Sequence, residues 1–314
     1  MKILVTGGAG FIGSHIVDLL IKNNYRVIAI DNLSSGKIEN LNPKAKFYQE
    51  DLGNFEEIRK IIEIENPEVI YHLAAQINVR KSVENPIQDA KINIINTLNL
   101  LELAVKSKVK HFIFSSTGGA LYGDSNDIPT IEAAVTNPVS PYGCSKLSVE
   151  KYLIFYNKVH GLKFTALRYS NVYGPRQNPE GEAGVIAIFL DKMFANQQPK
   201  IFGGIQKRDF IYVEDVAQAN LLALNDSSSN FYNVGTSRET DIIEIFNKLN
   251  SYFDNKFRPE YLEMKKGEQK TSCLSYKKIN NSLGWHPLTG IDDGLDKTYC
   301  WKLREFKKKR GLNQ

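Results

Sequence analysis

Cysteine is scarce in this sequence, and long hydrophobic runs are lacking. The three cysteines, Cys144, Cys273 and Cys300, show neither the spacing of a metal site nor the even number of a disulfide framework. We therefore expect no metal ion and a reducing compartment, the cytoplasm. The apolar run at residues 3–5 is followed at once by glycines and is too short for a signal peptide or a membrane span, so we expect no membrane partner.

A strong excess of charge of either sign is lacking as well. There are 40 Lys and Arg residues against 35 Asp and Glu residues, which gives a net charge of +5. So small a balance over 314 residues does not favour a nucleic-acid partner. The basic run at residues 307–310 fits the cationic end of a terminal helix, where the helix dipole stabilises positive charge.

Short β-branched runs alternate with longer helical patterns through the first half of the chain. The runs lie at residues 3–6, 27–30, 46–48, 69–73, 112–115 and 163–169. The helical patterns lie at residues 12–22, 55–63, 90–105 and 142–159. This alternation predicts an α/β fold, a doubly wound parallel sheet of the Rossmann type with helices on both faces.

The pattern becomes less regular after about residue 174, where prolines and glycines interrupt the chain. We therefore expect a Rossmann domain at residues 1–174 and a smaller C-terminal α/β lobe at residues 175–314. The lobe would pack against the strand ends and close a cleft, and elements of the two units can interleave.

Three glycines follow the first predicted strand at the spacing of a dinucleotide-binding loop. Gly7, Gly10 and Gly13 separate the strand at residues 3–6 from a helix that begins at once. Such a loop turns tightly and lets the backbone approach a pyrophosphate, which then lies at the helix N-terminus. Asp31 ends the second strand, where a carboxylate accepts hydrogen bonds from ribose hydroxyls and repels a 2′-phosphate. We predict a site for NAD rather than NADP.

A tyrosine and a lysine are four residues apart on a predicted helix. Tyr142 and Lys146 therefore share one helix face. A free tyrosine has a pKa of about 10, and an ammonium beside it stabilises the phenolate, so the pair predicts a general base. Ser116 and Thr117 follow the run at residues 112–115, where a hydroxyl can hydrogen-bond a substrate oxygen. A structural i, i+4 pair and a Ser/Thr turn are the alternatives.

With these motifs in this order, the sequence resembles the extended short-chain dehydrogenases. Within them it is most similar to the UDP-glucose and UDP-N-acetylglucosamine 4-epimerases. The resemblance covers residues 1–304, essentially the whole chain. Further matching segments are His72-Leu73-Ala74-Ala75, Asn93 with Thr97, and residues 168–176, 208–216, 232–235 and 283–287.

The resemblance implies a UDP-sugar substrate, NAD as cofactor and a reaction through a 4-keto sugar. Tyr142 would take the proton of the sugar 4-hydroxyl, with Lys146 beside it and Thr117 bridging the oxygen. The cofactor-binding residues would be Gly7, Gly10, Phe11, Ile12, Gly13, Asp31, Asn32, Asp51, Leu52, Leu73, Ala74, Ala75, Asn93, Ser115, Tyr142, Lys146 and Tyr169. The substrate-binding residues would be Thr117, Tyr142, Asn171, Arg208 and Ser272. Asp51 and Leu52 also fit a structural turn.

Two segments bear on how the nucleotide sugar is held. By the same resemblance, Ser272 would lie beside the sugar C2 substituent, where a small residue admits an acetamido group; a polar loop position is the alternative. Residues 265–268 read Lys-Lys-Gly-Glu, where relatives place an arginine against the diphosphate. Lysine keeps the charge but loses the bidentate fork. For Arg208, an ion pair with Asp209 or Asp215 is the alternative to diphosphate binding.

Related activities remain as alternatives. Dehydratases that resemble this chain carry an Asp-Glu pair just after the threonine, and UDP-glucuronate decarboxylases carry a glutamate in this loop, where this chain has Gly118-Gly119. A UDP-glucuronate 4-epimerase, an enzyme similar to dTDP-glucose 4,6-dehydratases and a non-catalytic NAD-binding regulator are the competing interpretations. Two long helices, at about residues 86–107 and 141–160, would pair across a two-fold axis as in relatives, so we expect a homodimer.

Overall fold

Seven parallel strands form the central sheet of the computed structural model, which describes residues 1–123, 125, 127–180, 184–263 and 270–311. In spatial order they are β3 (Lys46–Gln49), β2 (Arg26–Asp31), β1 (Lys2–Thr6), β4 (Val69–His72), β5 (His111–Thr117), β6 (Lys163–Tyr169) and β11 (Asn230–Val234). The first six follow the doubly wound order 3-2-1-4-5-6, so the predicted fold class is confirmed. The strand order reverses between β1 and β4, and a crevice opens beyond the carboxyl ends of strands at such a point.

The central strands are apolar along their whole length because both faces of the sheet are covered. Strands β1 and β4 are buried at almost every position, and so is the first half of β5. Their side chains are those of a buried parallel sheet, with few alternating polar positions. The predicted run at residues 112–115 becomes the longer β5 because its ends pair with β6 on one side, from His111 opposite Lys163 to Thr117 opposite Tyr169.

Helices cover both faces of this sheet. Other helices surround a separate group of short strands, which is called the second unit below. The helices are α1 (Phe11–Lys22), α2 (Phe55–Glu65), α3 (Val79–Glu84), α4 (Pro86–Ala90), α5 (Asn96–Lys106), α6 (Pro141–His160), α7 (Val185–Phe194), α8 (Val213–Ala223), α9 (Ile242–Ser251), α10 (Lys277–Leu283) and α11 (Ile291–Lys309). Helices α1 and α8 pack together on one face, while α2, α5 and α6 pack on the other. Within the described part of the chain, no helix has both the length and the apolarity to cross a membrane.

A π-helical turn at Lys91–Ile95 joins α4 to α5, so that one helix runs from residue 86 to residue 106. It begins four residues before the helical pattern at residues 90–105 and agrees with the long helix expected at about residues 86–107. Pro86 takes the first helical position, and the Asn85 side chain accepts a hydrogen bond from the backbone N–H of Gln88 (3.0 Å). The wider π-helical turn adds a residue to the helix beside the cleft, where such turns often accompany functional sites.

The second unit contains short strands around an aromatic core. Its strands are β7 (Asn171–Tyr173), β8 (Lys200–Phe202), β9 (Lys207–Arg208), β10 (Phe210–Tyr212), β12 (Thr240–Asp241), β13 (Glu260–Leu262) and β14 (Thr271–Ser272). Helices α7, α9 and α11 enclose this core. The chain returns to the large sheet in between, because α8 packs on α1 and β11 pairs with the open edge of β6. After β6 the chain therefore alternates between these short strands, beginning with β7, and the large sheet.

Candidate active site

The glycine loop is shaped by close backbone contacts. Gly7 has a positive φ of 69°, and a Cβ atom on it would lie 2.8 Å from the backbone nitrogen of Ala74. A Cβ atom on Gly13 would lie 2.1 Å from the carbonyl oxygen of Gly7. Only glycine fits at these two positions. Gly10 is the N-cap of α1 and brings no side chain to its first turn, so the N–H groups there are directed at the crevice as a site for an anion.

Asp31 is held at the tip of β2 against this loop. Its carboxylate accepts hydrogen bonds from the backbone N–H of Ala9 (3.0 Å) and of Leu33 (2.8 Å). The neighbouring Asn32 donates to the carboxylate of Asp51 (2.6 Å). Asp51 also accepts from the backbone N–H of residue 53 (2.7 Å), which is the hydrogen bond of a tight turn before α2. Both the acid at the end of β2 and the turn at residue 51 therefore border the same end of the crevice.

A chain of hydrogen bonds ties the loop after β4 to its surroundings. The hydroxyl of Thr6 accepts from the backbone N–H of Ala74 (3.2 Å) and bonds Nδ1 of His72 (2.8 Å). Nε2 of His72 bonds the hydroxyl of Thr97 (2.8 Å), which donates to the carbonyl of Asn93 (2.7 Å). Burial, and then the nearby Lys146 ammonium, lower the pKa of His72 to about 3, so the imidazole is neutral. With its one proton on Nε2, His72 links β1, β4 and the π-helical turn.

The tyrosine and the lysine lie in the first two turns of α6. The side chain of Ser140 caps the helix by accepting from the backbone N–H of residue 143 (3.1 Å). Lys146 is only 4% exposed, and its Nζ donates to the carbonyl of Ser115 at the end of β5 (2.8 Å). Nζ also lies 4.7 Å from the ring centroid of Phe114 and 5.9 Å from that of Tyr142. The two side chains share one helix face, as their spacing predicts.

Burial and one acidic neighbour set the ionisation of this pair. Burial lowers the pKa of Lys146 to about 8, although the Asp89 and Glu150 carboxylates act in the opposite direction. Burial raises the pKa of Tyr142, and the charge of Asp89 raises it further. The phenol is therefore the stable form in the protein alone. A positive charge beside the ring would favour the phenolate.

Thr117 is the last residue of β5. The side chain of Leu274, from the second unit, covers the start of the loop that follows. The hydroxyl of Thr117 accepts from the backbone N–H of Ala120 (3.2 Å), and the N–H of Gly118 donates to the carbonyl of Tyr169 (2.8 Å). A Cβ atom at Gly118 would lie 2.2 Å from Cδ1 of Leu274. The position after the threonine therefore accepts no larger residue while Leu274 stays in place.

Three of the predicted substrate residues lie on short strands of the second unit. Asn171 opens β7, and its N–H donates to the carbonyl of Asp209 (2.9 Å). Arg208 and Ser272 are directly paired across β9 and β14. The guanidinium of Arg208 donates to the carbonyls of residues 207 (2.9 Å) and 270 (3.2 Å). The carboxylate of Asp209 binds Thr236 instead (2.6 Å). The departure at residues 265–268 lies outside the described residues.

The side chain of Tyr169, the last residue of β6, packs in the core. Its hydroxyl is hydrogen-bonded to the side chain of Asn220 on α8, and the ring belongs to the core between the sheet and that helix. Its backbone is at the end of β6, while its ring packs against the helix. The other predicted cofactor residues lie near the ends of β2 and β5, in the segments after β1, β2, β3 and β4, or on α1, the π-helical turn and α6.

Comparison with known proteins agrees with this arrangement. Residues 3–235 match the model of the NAD dependent epimerase/dehydratase family. The chain belongs to this family. It is 38% identical over 305 residues to a UDP-glucose 4-epimerase from Mycolicibacterium smegmatis, with 95% of this chain and 97% of that protein covered.

Solved structures of the family have the same fold. A UDP-glucose 4-epimerase from Thermotoga maritima, crystallised with UDP-glucose, is 48% identical and superposes with a TM-score of 0.95, over 97% of this chain and 99% of that one. A UDP-N-acetylglucosamine 4-epimerase from Methanobrevibacter ruminantium, in complex with UDP-N-acetylmuramic acid, is 35% identical with a TM-score of 0.91, over 97% and 98% of the two chains.

NAD is the cofactor of the family, and the prediction of NAD is confirmed. The residues present fit it. The cradle at Gly7 and Gly13 leaves the backbone free to approach a pyrophosphate, and the unblocked start of α1 faces it. Asp31 lies at the strand end that follows, with its carboxylate already oriented by two backbone N–H groups.

A buried ion pair behind the active site is a feature that sequence reasoning missed. The carboxylate of Glu150 accepts from two nitrogens of Arg168 (2.9 and 2.6 Å) and from the hydroxyl of Ser116 (2.7 Å). Arg168 also donates to the hydroxyl of Tyr122 (2.7 Å). The signal was present, because Glu150 follows Lys146 by four residues and places an acid on the buried stripe of α6. The pair fixes α6 against the ends of β5 and β6.

Asp31→Ala should weaken NAD binding by about 10- to 100-fold, as expected for loss of a charge-assisted hydrogen bond of about 1.5–3 kcal/mol. It should also relax discrimination against NADP, because the charge that repels the 2′-phosphate is gone. Dissociation constants for both nucleotides, measured on protein stripped of nucleotide, check this. Asp31→Asn is the matched variant: it can still accept the N–H of Ala9 and loses only the charge. Equal affinity of the wild type for NAD and NADP would contradict this role of Asp31.

Proposed function

We propose that this protein is a UDP-sugar 4-epimerase with tightly bound NAD. It interconverts UDP-glucose and UDP-galactose, and also UDP-N-acetylglucosamine and UDP-N-acetylgalactosamine, through a transient 4-keto sugar. The observation that carries the proposal is that Tyr142 and Lys146 share one face of α6, that Lys146 is bound to the carbonyl at the third-last position of β5, and that two glycines follow Thr117 at the end of this strand. Leu274 fills the space that a side chain at Gly118 would need. The two positions after the threonine, where dehydratases that resemble this chain carry an Asp-Glu pair, hold glycines and therefore no carboxylate.

Each residue of this group has a separate task in the reaction. Bound NAD would supply the reversible oxidation at sugar C4. Tyr142 takes the proton from the 4-hydroxyl and later gives it back. Lys146, held by the carbonyl of Ser115, keeps a positive charge near the phenol oxygen. The Thr117 hydroxyl hydrogen-bonds the sugar oxygen at C4.

The UDP part of the substrate is assigned to the second unit. Arg208 and Asn171 bind the diphosphate, for which a planar guanidinium with several N–H donors is well suited. The guanidinium of Arg208 donates to the backbone carbonyls of residues 207 and 270, which hold it beside β9 and β14. The alternative role of Arg208, an ion pair with Asp209, is less favoured. The carboxylate of Asp209 accepts hydrogen bonds from the hydroxyl of Thr236 and the backbone N–H of Leu274.

We further propose that the protein is a cytoplasmic homodimer built on α4, the π-helical turn and α6. Tyr152, Phe155 and Val159 are spaced for one face of α6 and are 40, 46 and 61% exposed. Ile87 and Ile95 on the adjoining helix are 82 and 51% exposed. An exposed apolar face of this kind on two neighbouring helices favours self-association. The three cysteines are unpaired, which fits a reducing compartment.

The direct test of the activity uses the purified protein without added nucleotide. Denaturation should release NAD, and the native protein should interconvert the two UDP-hexoses and the two UDP-N-acetylhexosamines. UDP-glucuronate belongs in the same panel, since its epimerisation in place of the other substrates would identify a glucuronate 4-epimerase. A 4-keto-6-deoxy product would identify a dehydratase, and absence of turnover on every substrate would favour the regulator.

Tyr142→Phe removes the ionisable oxygen and keeps the ring, so folding and NAD content should be retained. Turnover should fall by about 10²–10⁴-fold or more, which is typical of a lost general acid–base group. Tyr152→Phe makes the same chemical change on an exposed face of α6 and should leave turnover unchanged. The measurement is kcat for UDP-galactose, with released NAD as the control for folding. Near-normal activity of Tyr142→Phe would remove Tyr142 from the mechanism.

Ser272→Tyr tests the sugar selectivity. Ser272 is paired with Arg208, and two residues later Leu274 packs on Gly118, which brings this strand to the catalytic loop. A tyrosine here should lower kcat/KM for UDP-N-acetylgalactosamine by about 10- to 200-fold and largely spare UDP-galactose. Thr271→Tyr adds the same ring on the other side of the strand and should not discriminate between the two sugars. Equal losses on both sugars with Ser272→Tyr would contradict the assignment.

Phe155→Asp tests the dimer. A charge in the middle of the apolar face should convert the protein to a monomer, because an unpaired charge is costly in a buried interface. Molar mass by light scattering at micromolar concentration is the measurement. Ile64→Asp, at an exposed position of α2, is the control and should remain dimeric. A monomeric wild type would refute the proposal.

A further inference from the structure

Asp89 is a buried carboxylate at the end of α4 that the catalytic roles above do not use. It is 1% exposed. One oxygen accepts from the hydroxyl of Ser145 (2.7 Å), and the other accepts from the side-chain amides of Gln76 (2.9 Å) and Asn93 (3.0 Å). All three partners are neutral donors. Burying a carboxylate is costly even with such hydrogen bonds, so its presence beside an active site requires an explanation.

The orientation of the two amides follows from their other contacts. The side-chain oxygen of Asn93 accepts from the backbone N–H of Gln76 (2.9 Å), and that of Gln76 accepts from the N–H of Asn78 (2.5 Å). Their NH₂ groups are therefore the ones directed at Asp89. Asp89 thus receives a hydrogen bond at each oxygen, from three different segments: the loop after β4, the π-helical turn and α6. It acts only as an acceptor, as an ionised carboxylate does.

The α6 partner lies between the two catalytic side chains. Ser145 immediately precedes Lys146 and follows Tyr142 by three residues, so its hydrogen bond to Asp89 fixes the helix turn that carries both. The charge of Asp89 also acts on both: it raises the pKa of Tyr142, and it opposes the lowering of the pKa of Lys146 by burial.

The other charged or titratable groups on the elements around Tyr142 and Lys146 are ion-paired, neutral or exposed. On α6, Glu150 is bound to Arg168. On β4, His72 is neutral. Helix α3 carries Arg80, Lys81 and Glu84, which are exposed.

We propose that Asp89 is a positioning residue that fixes the first turns of α6 through Ser145 and whose negative charge sets the pH range in which the Tyr142–Lys146 pair works. The proposal rests on the function proposed above. Without this charge, the buried ammonium of Lys146 would lose protons at a lower pH, while the phenolate of Tyr142 would form more readily. Asp89 therefore keeps Lys146 protonated up to a higher pH. It also raises the pH at which Tyr142 loses its proton.

Asp89→Asn separates the charge from the hydrogen bonds. The amide oxygen can still accept from Gln76 and Asn93, and the amide NH₂ can donate to the hydroxyl of Ser145. A negative charge disfavours a phenolate and favours an ammonium, so its removal lowers both pKa values. The acidic and the alkaline limb of the kcat profile for UDP-galactose should therefore both move to lower pH, by about half a unit to one unit.

Matched variants isolate the two parts of the role. Asp89→Glu keeps the charge, and both limbs should stay near those of the wild type. Ser145→Ala keeps the charge and removes the tether, so kcat should fall while the limbs stay in place. If both limbs of the pH profile of Asp89→Asn stay where they are in the wild type, whatever its kcat, the electrostatic role of Asp89 is wrong. If that variant does not fold, Asp89→Ser removes the charge with room for water and is judged by the same shift.

A second measurement does not depend on turnover. The tyrosinate absorbance of the NAD-loaded protein is titrated with pH, and the same titration of Tyr142→Phe is subtracted to isolate Tyr142. The titration of Tyr142 should shift to lower pH when Asp89→Asn is introduced, and an unshifted curve would contradict the inference. A shifted curve in a protein inactive on every UDP-sugar would contradict the proposed function alone.

Discussion

The active site depends on keeping one positive charge in a buried position. The ammonium of Lys146 is almost fully removed from water, and a buried cation loses its hydration unless the protein replaces it. Here the replacement consists of the carbonyl of Ser115, the face of the Phe114 ring and the charges of Asp89 and Glu150. These groups come from β5, α4 and α6. The packing of the two helices against the sheet therefore also surrounds the buried ammonium with groups that stabilise its charge.

Each of the two acids near Lys146 has a second attachment. Glu150 is bound to Arg168 and Ser116, which locks α6 to the ends of β5 and β6. Asp89 is bound through amides to the loop after β4 and to the π-helical turn. The loop that follows β4 is in turn tied to β1 through His72 and Thr6. The cofactor end and the catalytic end of the crevice are thus connected by hydrogen bonds that leave the active-site carboxylates little freedom to move.

The second unit reaches the reaction centre through packing. Leu274 lies on Gly118, and its backbone N–H donates to the buried carboxylate of Asp209 (3.1 Å). Asp209 lies next to Arg208 in the chain, and Arg208 is paired with Ser272. The residues assigned to the diphosphate and to the sugar are therefore built on the same strands that cover the catalytic loop.

Local patterns in the sequence determined the order of strands and helices, the glycine turn, the acid at the end of β2 and the shared face of Tyr142 and Lys146. These features depend on the periods of a strand and a helix and on the absence of a Cβ atom, which neighbouring residues reveal. The seventh strand, the core position of Tyr169, the pairing of Arg208 with Ser272, and the environments of Asp89 and Glu150 were decided only by the tertiary structure. In each case the partners lie far apart in the chain, and whether a polar side chain is buried, paired or exposed depends on which distant segments pack against it.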